Sequence, residues 1–170
     1  MCRLAACVLL VGQFMVGDRM LAQSAGSDSN FATAACDFDD GQEISVRYSQ
    51  TVASSKDEPH NGKLWLPGGS PMTLFTNVGV TLNHVSIAAG AYSMFVIPNR
   101  KEWTLIVNRN VTPGAAYDEK QDIVRSPMEL GEIDSPPKQL QVSFSRAAPK
   151  TCSIRLYYEK VGAFTDFLEK

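Results

Sequence analysis

The sequence predicts an all-β domain, an antiparallel, jelly-roll-like sandwich of roughly 8–10 short strands. Three observations predict it. Apolar and polar residues alternate with period two through many short segments, the pattern of strands with one face in and one face out. Pro, Gly and Asn turn signals interrupt these segments about every 8–12 residues. After the N-terminal apolar stretch, no segment carries a helical period of useful length.

The strands follow in order. Ile44, Val46 and Tyr48 alternate with Glu43, Ser45 and Arg47. Residues 54–62 are polar, hold Pro59 and an Asn61-Gly62 step, and read as a loop. Lys63 to Leu66 is a short strand, closed by the turn Pro67-Gly68-Gly69-Ser70-Pro71, and Met72 to Thr76 and Val78 to Leu82 are two more. Val85 to Ala88, a turn at Ala89-Gly90 and Ala91 to Ile97 read as strand, turn, strand. Tyr92, Met94 and Val96 are apolar on one face and Phe95 and Ile97 on the other, so this strand is expected to be covered on both sides. Pro98 to Lys101 closes a hairpin to the strand Trp103 to Val107. Thr112 to Gln121 is a polar loop, and Asp122 to Met128 is extended. Beyond Pro136-Pro137, Leu140, Val142 and Phe144 alternate with polar residues, as do Cys152, Ile154, Leu156 and Tyr158. Phe164 to Leu168 adds a last strand or a short helical turn.

The ends and the cysteines speak to compartment. Arg3 precedes an almost wholly apolar run from Leu4 to Gly17, and Ala22 offers a small residue for cleavage, so residues 1–22 read as a signal peptide. Residues 23–36, rich in Ser, Ala and Asp, read as a flexible leader, and residues 37–170 as one sandwich domain. The expected location is periplasmic or extracellular, with no membrane segment left after cleavage. Cys36 and Cys152 remain in the mature chain. Neither has a C-x-x-C partner, so a structural disulfide is expected rather than free thiols or a redox pair. Closing so long a loop is worth about 4–5 kcal/mol in the chain-entropy model.

Apolar residues make up 44% of the chain and charged residues 20%, with a formal net charge of -2. No basic stripe exists, which argues against nucleic acid as a partner.

Three ordered blocks carry a family likeness: Ala88-Ala89-Gly90-Ala91-Tyr92-Ser93-Met94-Phe95-Val96-Ile97-Pro98, then Glu102-Trp103-Thr104-Leu105-Ile106-Val107-Asn108, then Tyr117 to Arg125 with Asp122 inside. Over residues 41–168 the chain resembles the domain-of-unknown-function 2911 family. The resemblance implies an exported β-sandwich and no activity to carry over. Many members carry a Trp-Arg-x-Gly-Ala-Asn-Glu segment where this chain runs from Lys63 to Asn77. The Arg and Glu of that segment have no counterpart here, so no site built on them transfers.

The candidate chemistry is sparse. Tyr117, Asp118, Glu119, Lys120, Asp122 and Arg125 form the densest polar cluster. Arg125 could grip a carboxylate, a phosphate or a sugar hydroxyl, helped by Asp122 or Asp118. The plainer alternative, preferred here, is that Arg125 pairs inside the domain and fixes the loop to the sheet. Strict alternation puts Asp122 and Val124 on one face and Ile123 and Arg125 on the other. His60 and His84 lack any zinc-ligand spacing and read as solvated. Asp37, Asp39, Asp40 and Glu43 around Gly41 lack the full calcium-loop pattern and read as an acidic turn, with Phe38 pointing inward. No metal and no cofactor is expected. Trp103 belongs to the core, while Trp65, beside a Pro-Gly turn, is the best exposed aromatic for stacking on a sugar. The expected function is non-catalytic binding of a small molecule, a glycan or another envelope protein. A hydrolase using the Asp118–Arg125 loop with a histidine, and a purely structural or assembly role, are the alternatives.

Overall fold

The computed structural model describes residues 30–50 and 58–170. The signal peptide expected at 1–22, and the expected leader up to residue 29, lie outside the described residues. Eleven strands follow one another: β1 (Phe31–Asp37), β2 (Glu43–Ser49), β3 (Met72–Thr76), β4 (Val80–Leu82), β5 (Val85–Ile87), β6 (Gly90–Ile97), β7 (Trp103–Asn108), β8 (Asp122–Glu132), β9 (Gln141–Ala148), β10 (Thr151–Tyr158) and β11 (Val161–Glu169). Every pairing between them is antiparallel.

The all-β expectation therefore holds, and the connectivity adds a feature. The hydrogen-bonded path runs β1-β2-β3-β6-β7-β8-β11-β10-β9 without a break, and the β4–β5 hairpin hangs from β11 through β4. The two layers are halves of one rolled sheet, nearly closed into a barrel. Their hinge is β8. Its first part, to Met128, pairs with β7, and its end, from Glu129 to Glu132, pairs with β11.

Alternate residues meet inside the roll. Ile44 and Val46 of β2, Leu74 of β3, Met94 and Val96 of β6, and Leu105 and Val107 of β7 are wholly buried with Ile154 and Leu156 of β10 and Phe167 of β11. Each such side chain contributes about 1.5–3 kcal/mol by leaving water. Leu140 and Val142 are buried as the alternation requires, and Phe144 packs against the same core. Cys36 of β1 and Cys152 of β10 form a disulfide. It ties the first strand of the path to the last but one, across the seam where the roll closes.

Three expectations need correction. The first is the leader: residues 31–36 belong to β1 and pair residue for residue with β2. Composition missed this because an edge strand needs only one lightly apolar face. Ala32, Ala34 and Cys36 supply it and lean on the core.

The second is Trp65, which is only 5% exposed. Its ring lies edge-on to Trp103, centroids 5.5 Å apart, and to Tyr158 at 5.0 Å. The strand expected over Lys63–Leu66 shrinks to a single bridge, Trp65 with Val96. Pro67 supplies no N–H, and Gly68 turns the chain away at φ 79. A Cβ at Gly68 would run into the Ser49 carbonyl oxygen, so the turn admits only glycine there. The chain is thereby bent so that the indole enters the core instead of facing water.

The third is the facing of Asp122. Val107 opposes Val124, but Asn108 opposes Asp122, so Ile123 is an extra residue in β8. This bulge shifts the alternation by one. Ile123 leans on the core with Val124, and Asp122 comes round to the face of Arg125.

Candidate functional site

The outer face of β6, β7 and β8 carries a cross-strand row of Phe95, Ile106 and Arg125. Phe95 and Ile106 are buried although they point away from the main core. Their cover is the loop after β7. Tyr117 brings its ring to 4.9 Å from Phe95, edge to face. This accounts for the strand with two apolar faces.

Around the rim of that cover, polar groups interlock. The Tyr117 hydroxyl donates to Asp122 Oδ2 at 2.6 Å and accepts from Arg125 Nη2 at 2.9 Å. Arg125 Nε donates to the same Asp122 oxygen at 2.9 Å, and Nη2 lies 3.0 Å from Glu119 Oε1. Asn108, only 1% exposed, donates through Nδ2 to Asp122 Oδ1 at 2.7 Å and to the Asp118 carbonyl at 2.9 Å. Its Oδ1 accepts from the backbone of Asn110. The Asp118 side chain caps the short turn Glu119–Gln121 by accepting from Lys120 N at 3.0 Å.

The Asp122 carboxylate thus accepts three hydrogen bonds, one from a cation. Burial, and then the hydrogen bond to Asp122, push the Tyr117 phenol up to about 12. The bond to Asp122 also raises the Arg125 guanidinium further above its ordinary value. The phenol is neutral and the guanidinium charged at any ordinary pH, which suits a permanent fastening.

The fold brings Tyr117, Asp122 and Arg125 into one network, with Asp118 at its edge and Trp65 elsewhere in the core. Sequence reading missed Asn108, the buried hub of the network. Its signal was an amide ending a strand otherwise apolar on both faces. Among the described residues no hydrogen bond joins this network to His60 or His84, and no group of three or more His, Cys, Asp and Glu side chains is placed to hold a metal ion.

A second locality arises where β8 and β11 part. Glu129 pairs with Phe164, but from Phe167 onward β11 pairs with β4. Across the gap the Ser126 and Thr165 hydroxyls share a hydrogen bond at 3.2 Å. A cleft of about 620 Å³ lies there, lined by Glu102, Glu129, Asp166, His84 and Phe164, with Asn83 and Leu168 at its margins. The two-residue β4–β5 turn delivers His84. Asn83 at φ 46 and His84 at φ 65 are both left-handed, as the tightest hairpin turn requires.

On the other side of Phe164 lies a shallower hollow of about 260 Å³. Gly131 and Gly162 face each other across β8 and β11 and leave its floor without side chains. The Tyr157 ring lies against Gly162, and Arg155 stands in the same cross-strand row as Phe164 and Glu129. Phe164 lines both depressions and is 37% exposed. None of these residues was legible as a site, because they come from five separate segments of the chain. Only the Asn-His step between two short apolar runs gave a local signal.

No curated protein and no solved structure matches the chain. Residues 29–166 match the family described as protein of unknown function (DUF2911), and the chain belongs to that family.

Proposed function

We propose that the protein is an exported, non-catalytic binding domain whose ligand is a glycan or similar polyhydroxylated molecule, held across Phe164 on the outer face of β8, β10 and β11. The observation that carries this reading is Phe164 itself. A large ring stands exposed on a ridge between two depressions, with Glu129 on one side and Arg155 on the other. Sugars present a C–H face that stacks on an aromatic ring and hydroxyls that bond to carboxylate and guanidinium groups. A concave site with an apolar platform and a few convergent polar groups is what such a ligand needs.

The Tyr117–Asp122–Arg125 network is, in this reading, a fastening for the loop. Asp122 already accepts three hydrogen bonds, so a ligand there would have to displace partners of full strength. Export is supported by the N-terminal apolar run in the sequence and by the disulfide. No helix among the described residues is long and apolar enough to cross a membrane, which is compatible with it.

The test is a glycan array, followed by calorimetry on the hits. Phe164→Ala is expected to weaken binding at least tenfold while stability changes by no more than about 0.5 kcal/mol, as for an exposed residue. A panel that yields no binder, or a binder indifferent to Phe164→Ala, would remove the reading. Oligosaccharide cleaved during incubation would replace it with a hydrolase.

A further inference from the structure

We infer that Asp40 and Glu169 form a proton-operated latch: with one proton between the two carboxyl groups the β1–β2 turn is held on the end of the roll, and with both ionised it is loosened. Glu169 shares a face of β11 with the buried Phe167 and stands opposite the buried Val80, so it occupies the core side of its strand. Its side chain is only 4% exposed, and its ion-pair contact with Lys150 Nζ is long, at 3.9 Å. A carboxylate so placed has lost most of its water for little in return. The turn Phe38–Gln42 reaches the same spot. Phe38 anchors it in the core, the Asp39 amide donates to the Pro149 carbonyl at 3.1 Å, and the Glu169 amide donates to the Lys150 carbonyl at 2.9 Å. Asp40 Oδ1 accepts from the Gln42 amide at 2.9 Å, which fixes its carboxyl in the turn, and that carboxyl bonds to Glu169. A hydrogen bond between two carboxyl groups needs a proton on one of them.

The charges around the pair come from every element that meets there. The β1–β2 turn brings Asp39 and Asp40, with Asp37 and Glu43 exposed at the strand ends beside it. β9 brings Arg146, which is paired with Asp39, and the β9–β10 turn brings Lys150. Lys170 turns its Nζ to the Ser86 hydroxyl at 3.0 Å, and β4 presents only Val80, Thr81 and Leu82. Burial first, then the bond to Asp40 and the charges of Asp40 and Asp39, raise the Glu169 carboxyl above its ordinary value of 4.5, while Lys150 draws it back. An acid raised in this way contributes stability that is complete below the ordinary value and is lost as pH rises through the folded one. The latch is therefore closed in acid and loosened toward neutral pH, when the proton leaves Glu169 for solvent. The disulfide from Cys36 to Cys152 keeps β1 tied to β10, which confines the movement to the turn.

The experiment is amide hydrogen exchange by NMR on the oxidised protein, from about pH 4 to about pH 7, with each rate divided by the intrinsic rate at that pH. The Asp39 amide reports the turn. The Gln50 amide, bonded to the Asn30 carbonyl at the far end of the β1–β2 pair, is the control. Protection of Asp39 is expected to fall at least about threefold across that range while Gln50 holds. Glu169→Gln offers Asp40 a donor at every pH and should abolish the fall. Asp40→Asn should shrink it, and should bring the Glu169 titration, followed by carbon NMR of its carboxyl group, back toward 4.5. Protection of Asp39 that ignores pH, a fall that persists in Glu169→Gln, or an equal fall at Gln50 overturns the latch. Should Glu169→Gln fail to fold, the titration decides: a Glu169 midpoint at its ordinary value, or one unmoved by Asp40→Asn, overturns it as well.

Discussion

Tyr117 donates to Asp122 over 2.6 Å, five residues apart in sequence, and that bond closes a loop over Phe95 and Ile106 that would otherwise lie bare on the outside of the sheet. The bond depends on the bulge at Ile123, which turns Asp122 outward to meet the phenol. Removing either partner should therefore be felt as stability. Tyr117→Phe keeps the ring on Phe95 and loses one hydroxyl, at a cost of about 1 kcal/mol. Asp122→Ala takes the acceptor from Tyr117, Arg125 and Asn108 together and should cost about 2–3 kcal/mol. Urea unfolding measures both. Since the two side chains touch, the double variant should lose less than the two single losses added. Wild-type stability in Asp122→Ala, with a ligand lost, would mean that the cluster binds something after all.

The same bond sets a titration. The folded protein holds the Tyr117 proton to about 12, against an ordinary value of 10.0. For an acid with a raised pKa the native state binds more protons than the unfolded chain across that interval. Tyr117 therefore contributes stability that is complete below pH 10 and is lost as pH rises toward 12. Phenolate absorbance followed against pH, wild type minus Tyr117→Phe, should rise late, near 12. A difference curve centred at 10 would show a solvated phenol and contradict the covered loop.

How far the sequence revealed these features depends on whether they were local. Period-two alternation depends only on neighbours, so the strand from Ile44 to Tyr48 and the hairpin from Ala91 to Val107 were legible. The two-faced apolar strand even announced that something must cover Phe95. What covers it, and how, was half visible: Tyr117, Asp122 and Arg125 stood close in sequence, but the bulge that lets Asp122 reach Arg125 is a register shift against β7, and register is a relation between strands. The burial of Trp65 is hidden from the sequence for a related reason. The turn beside it suggests exposure, whereas its burial comes from Trp103 and Tyr158, far along the chain. The cleft beside His84 was wholly illegible, because the parting of β8 from β11 exists only after the sheet has rolled.

The disulfide was legible, and its position in the fold sharpens what it should do. Cys36 and Cys152 are 116 residues apart, so the bridge restricts the unfolded chain strongly. It also joins β1 to β10 across the unpaired seam, assisted by the ion pair of Arg146 with Asp39. Cys36→Ser should cost about 4 kcal/mol in oxidised protein and far less when both proteins are compared under reductant. Thermal melts with and without reductant decide it. An equal loss in both conditions would assign the effect to packing of the Cys36 side chain and not to the covalent link.

His84 offers a test in which stability and function should move in opposite directions. Its φ of 65 is unfavourable for a residue with a Cβ, and the β4–β5 turn would be satisfied better by the Asn-Gly pair that two-residue hairpins prefer. Glycine there relieves that strain but enlarges the freedom of the unfolded chain, so His84→Gly should gain only about 0.5 kcal/mol. The same change removes the imidazole from the wall of the cleft while leaving Glu102, Glu129 and Asp166 in place. If the strained histidine is kept for its contact with a ligand, binding should fall as the melting temperature rises, the trade expected where strain is stored at a working surface. His84→Ala keeps the strain and loses the imidazole, so it should lose binding without gaining stability. Full binding in both variants would show that the imidazole only fills a turn position, and the cleft would then have to act through its carboxylates and Phe164 alone.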